Sequence, residues 1–163
     1  MALDGGQILG TPPQQEGGGT YTGQYWQNLS NQLIPAADTT ISGEISGNQT
    51  LGTRDHPQIT VIEGETSFED NVDGAGILIV SDEVEFSGDF HFEGLIIILG
   101  EEGKLELEDA GRVRLFGAVV MAGGGELEVE LEGNARMMYS NSALTNSNNI
   151  DSLFNVVSWR EVY

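Results

Sequence analysis

Carboxylates dominate the chemistry open to this chain. It carries 26 Asp and Glu against six Lys and Arg, a net charge of -20. The acids are patterned. "GELEVELEG" (125–133) sets Glu126, Glu128, Glu130 and Glu132 at alternate positions, with Leu127, Val129 and Leu131 between them. "EVEFSG" and "KLELED" repeat the alternation earlier in the chain. A period of two puts the carboxylates on one face of a strand and the apolar residues on the other. If the acidic strands stack in order, Glu85, Glu106 and Glu128 form a column. Charges so placed repel by about 1 kcal/mol per pair in water. Such a column either splays into solvent or holds a divalent cation, Ca2+ by its preference for oxygen ligands. "EDNVDGAG" (69–76) is the one dense Asp/Asn/Gly loop, and it adds Asp70 and Asp73. The candidate metal ligands are therefore Asp70, Asp73, Glu85, Glu106 and Glu128. The plainer reading is a solvated acidic face and a turn, since neither an EF-hand loop nor a nonapeptide calcium repeat is present.

Other chemistry is weakly represented. Carboxylate pairs could serve as general acid and base, but none stands apart from the regular pattern. His56 precedes Pro57, and His91 alternates with Phe90 and Phe92, which turns it outward. Neither adjoins a Ser or Cys nucleophile motif, and no HExxH, P-loop or dinucleotide fingerprint occurs. No catalytic or cofactor-binding residue is assigned, and the chain reads as non-enzymatic. The shortage of Lys and Arg argues against a nucleic-acid partner and against docking on anionic lipid. Cysteine is absent, so redox compartment is not indicated. No apolar run is long enough to span a membrane. The opening "MALDGGQILGTPP" reads as the start of a trimmed or mature domain. The charge balance suits a salty or calcium-containing exterior.

The elements that position these side chains repeat. Four apolar runs occur: "ITVI" from Ile59, "ILIV" from Ile77, "LIII" from Leu95 and "AVVM" from Ala118. Gly76, Gly94 and Gly117 immediately precede the last three. Each of those runs leads to an acidic alternating strand and then to a third short strand: "DFHFEG", "GRVRLFG", "NARMMYS". This is the signature of a three-sided, right-handed parallel β-solenoid of about four coils, in which stacking builds the core. A β-sandwich of short antiparallel strands is the alternative. Runs that do not alternate are strands covered on both faces, here by a helix. "YTGQYWQNLSNQLIP" is one candidate cover, with Trp26, Leu29 and Leu33 on a stripe. "SNSALTNSNNIDSLF" is a second, capped by Ser140 or Ser142 and divisible into two pieces. "VVSWREVY" closes the chain as a strand that buries Trp159. The division expected within one domain is 1–58 as an irregular capping segment, 59–140 as coils, and 141–163 as a closing helix and strand.

Residues 59–163 bear a family resemblance. "GILIVSDEVEFSGDFHFEGLIIILG", "VRLFGAVVMAG", "MMYSNSALTN" and the terminal "VVSWREVY", in that order, resemble the C-terminal β domain of bacterial PilX-type pilus-assembly proteins, the minor type IV pilins. Their order, together with the ending Ser158–Glu161, is more specific than any one of the pieces. The resemblance implies a surface-exposed β domain carried on an apolar N-terminal helix that this sequence does not contain. It implies no catalytic residue. The function expected is a structural or adhesive extracellular domain of a pilus-like appendage, with other appendage subunits or itself as partner. Two alternatives are a self-polymerising, bactofilin-like solenoid filament and a carbohydrate-binding or carbohydrate-cleaving solenoid.

Overall fold

A computed structural model describes residues 2–4, 7–9, 22–100, 103–107, 112–123, 128–132 and 135–150, with the backbone alone at 2–4, 7–9 and 128–132. Every strand pairing in it is parallel, as a solenoid requires and a sandwich forbids. The strands are β1 (Ala2–Asp4), β2 (Gln7–Leu9), β3 (Thr39–Ile45), β4 (Gln49–Leu51), β5 (Gln58–Phe68), β6 (Val72–Val80), β7 (Glu83–Phe86), β8 (Phe90–Ile98), β9 (Lys104–Leu107), β10 (Val113–Met121), β11 (Glu128–Glu132) and β12 (Arg136–Tyr139). They form three stacked faces of about four coils. The first face holds the apolar runs in register: Ile59 beside Ile77, Ile77 beside Leu95, Leu95 beside Ala118. The second holds the acidic strands β7, β9 and β11. The third holds β4, the first halves of β6, β8 and β10, and β12.

Alternation on the first face serves two cores. Ile62, Leu78, Val80, Ile96 and Ile98 point into the triangle, where they meet Phe68, Phe86, Phe90, Phe92, Leu105 and Leu107. Phe86 stacks on Phe68 at 4.8 Å and contacts Phe90 at 4.2 Å. Ile59, Val61, Ile77, Ile79 and Ile97 point outward and are nevertheless buried. Their cover is α1 (Gly23–Leu33), through Trp26, Leu29 and Leu33, the expected stripe. Thr22 caps this helix by accepting from the Tyr25 N–H, and Gln27 Nε2 donates to the Ala122 carbonyl at 2.7 Å. Pro35 sits within a following 3-10 turn, Ile34–Ala36. Asp38 then fixes the chain to the first face, its Oδ2 accepting from the Ile59 N–H at 2.8 Å.

Gly76, Gly94 and Gly117 lie in one column, each in register with the next. They stand where β6, β8 and β10 bend from the third face to the first, which makes each strand nine residues long. Gly94 has φ +146°, and a Cβ there would run into the Gly76 carbonyl oxygen. Only glycine lets the coils close to stacking distance at this bend. Over it sits α2 (Asn141–Asn146), capped by Ser140 and followed by a 3-10 turn, Ser147–Asn149. Ser147 Oγ donates to the Gly76 carbonyl at 3.0 Å.

Two features extend beyond the sequence-based division. β3 pairs with β5 and β4 with β6, so the coils begin at Thr39, inside the segment expected to cap them. β1 and β2 join the opposite end, on β11 and β12. The expectations for Leu127 and for residues 151–163, Trp159 included, lie outside the described residues, as do those for the side chains of Val129 and Leu131.

Candidate functional site

The second face carries the acidic column, in a register different from the one expected. Glu85 is beside Glu106, but Glu106 is beside Glu130, and Glu128 is beside Lys104. Glu128 therefore leaves the proposed column. Alternation fixes which face a residue occupies but not its register, and Glu128 and Glu130 satisfy it equally. The column is also diluted. Ser67 is beside Glu85, Ser87 Oγ donates to Glu85 Oε1 at 3.2 Å, and Lys104 Nζ lies 3.0 Å from Glu106 Oε2. The chain's one lysine thus stands in register between Glu83 and Glu128 and reaches across to Glu106.

The loop acids have structural partners at the corner between the second and third faces. Asp70 Oδ2 accepts from the Gly47 N–H at 2.7 Å. One coil on, Asn71 Oδ1 accepts from the Asp89 N–H at 3.0 Å, and Asp89 Oδ1 accepts from the Arg112 N–H at 2.7 Å. Each corner side chain satisfies a backbone donor of a neighbouring coil, as Asx turns do within one chain segment. Asp73 is on the third face, with His91 Nδ1 3.2 Å from its Oδ1. Asp70, Asp73, Glu85 and Glu106 are thus spread over a corner and two faces. Among the described residues, no group of three or more His, Asp or Glu is arranged to hold a metal ion.

The third face holds what the sequence reading missed. Its outward residues form three columns. Asn71, Asp89 and Arg112 precede the strands. Asp73, His91, Arg114 and Arg136 stand in register, and so do Glu93, Phe116 and Met138. His91 faces outward, between Asp73 and Glu93, with Phe116 edge-on at 5.6 Å. Glu93 is held by Arg54 through Nε at 2.9 Å and Nη2 at 2.7 Å. That pairing keeps the Arg54 guanidinium's pKa above its ordinary value, by hydrogen bonding first and charge second. Arg112, Arg114 and Arg136 are exposed, and none of their guanidinium groups pairs with an acid among the described residues. A shallow depression of about 210 Å3 opens between Asn71, Asp73, Asp89, His91, Arg112 and Arg114. The signal was present in "GRVRLFG" and "NARMMYS": arginines at outward positions of strands that stack.

This arrangement can bind carboxylates. Guanidinium groups present planar, bidentate donors, and here they are stacked at the inter-strand spacing of about 4.8 Å. Phe116, Met138 and the exposed Tyr139 border them. Arg, Met and aromatic residues are the types enriched at protein interfaces. Comparison with protein-family models, curated proteins and solved structures found no match.

Proposed function

We propose that the chain is a non-catalytic structural domain of an extracellular, pilus-like appendage and works by docking through its third face. One observation carries this reading. In a chain of net charge -20, Arg112, Arg114 and Arg136 gather on one face without internal acid partners among the described residues. Gathering three such charges on one face amid so many acids makes sense where a second molecule supplies the carboxylates. The resemblance of residues 59–163 to the pilin β domain supports the appendage setting. The test is localisation. Cells expressing the native gene are sheared, and the chain is sought by immunoblot in the released appendage fraction. The reading expects it there; retention in the cytosol refutes the reading.

A second reading, the end-to-end filament, is favoured by a separate observation. β3 and β4 at one end, and β1 and β2 at the other, each pair on one side only among the described residues. Open strand edges are templates for another chain. Electron microscopy of concentrated protein separates the two readings, since continuous fibres one solenoid wide belong to the filament alone.

A further inference from the structure

Charge on the third face runs in a gradient along the solenoid axis. Asp73 lies on β6, His91 on β8, Arg114 on β10 and Arg136 on β12, one column in register. In the neighbouring column Asp89 precedes Arg112. The acidic end and the basic end of this face are therefore complementary to each other. Self-complementarity of one patch is the requirement for an isologous two-fold interface.

We propose that two copies of this chain dock third face to third face with their solenoid axes antiparallel. The two-fold axis runs parallel to the strands, between β8 and β10. This operation places Asp73 opposite Arg136 of the second copy and Asp89 opposite its Arg112, each pair occurring twice. His91 falls opposite the other copy's Arg114, over the depression between the two columns. The columns match without distortion because both copies have the same coil spacing. The α2 side of the face is bordered by the helix, which packs on β6, β8 and β10, so contact is confined to these two columns. The inference rests on the docking function proposed above and specifies its partner.

The face is small. Strand halves of four residues across four coils span roughly 13 by 19 Å, on the order of 250 Å2, against about 800 Å2 per partner for a stable interface. The dimer is consequently weak in dilute solution and forms where subunits are held at high local concentration.

The chain has no cysteine, which permits a clean trap. In the double variant Asp73→Cys/Arg136→Cys the two thiols of one chain are three strands apart, roughly 14 Å, beyond the reach of about 7 Å for a disulfide within the chain. Across the proposed axis they are opposed. Mild oxidation of the full chain at high concentration should give a covalent dimer faster than the control pair Ser67→Cys/Glu106→Cys on the second face. Equal rates would overturn the proposal. Sedimentation equilibrium supplies a second measurement on cysteine-free protein. Arg136→Asp should weaken association about tenfold, since the two-fold axis doubles each lost exposed pair, and Asp73→Arg/Arg136→Asp should restore it. A double swap no stronger than the single variant also overturns the proposal. Failure of both measurements with the chain still present in the sheared appendage fraction removes the antiparallel dimer and leaves the docking function standing.

Discussion

Gly94→Ala puts a methyl group into the bend that lets coils stack. Two penalties follow. The backbone there has φ +146°, a region in which a side chain costs about 1–3 kcal/mol. The new Cβ also meets the Gly76 carbonyl oxygen and lies 2.9 Å from Ser147 Oγ. Neither neighbour can yield easily, since the Gly76 carbonyl belongs to the stack and accepts from Ser147. Overpacking of this kind costs about 1–3 kcal/mol more. The sum is about 2–6 kcal/mol, which in a domain of this size lowers Tm by on the order of 10 °C. Gly64→Ala is the internal control. Gly64 also has positive φ, +68°, but no atom of the described residues lies within 4 Å of where its Cβ would stand. It should lose only the conformational part, about 1–2 kcal/mol. Urea titrations and thermal melts of both variants measure the difference. If the two unfold together, the close approach of the coils at the glycine column is not what constrains the bend.

Phe86→Ala should cost about 3–5 kcal/mol by urea titration, because the ring is 1% exposed and lies between Phe68 and Phe90. Thr60→Val should raise stability by about 1 kcal/mol, since the Thr60 hydroxyl is buried without a hydrogen-bond partner among the described residues and valine keeps the shape; a loss would mean the hydroxyl is bonded. Thermal midpoints should rise with NaCl, which screens the excess of 20 negative charges, and an unchanged midpoint would remove the repulsion argument. Calcium at matched ionic strength should add nothing further, because Asp70, Asp73, Glu85 and Glu106 are dispersed over a corner and two faces; a calcium-specific rise would point to a site.

Particular residues show why some of this was legible beforehand. Gly76, Gly94 and Gly117 each precede an unbroken apolar run, and that phase alone gave the stacking of Ile77, Leu95 and Ala118. Runs apolar at every position demanded cover on both sides, and the Trp26–Leu29–Leu33 stripe supplied it. β3 reads from sequence as irregular β and not as part of a coil, because "TTISGEI" lies half-exposed at an end coil, where nothing enforces an apolar pattern. The acid column slipped by two residues because its corners differ in length while alternation repeats every two. The arginine column was hidden for a related reason. Arg114 and Arg136 become neighbours only after the coil register is known, and no local pattern links them.

Whether the third face is the working surface is decided by replacing Arg114 and Arg136 with Ser in the native gene and quantifying the chain in the sheared appendage fraction. Both side chains are exposed, so the variant should melt within about 0.5 kcal/mol of the parent. A folded chain should be lost from that fraction about tenfold or more, as expected when interface arginines are removed. Retention at the parental level, by a variant of parental stability, would contradict the claim that the third face is the working surface.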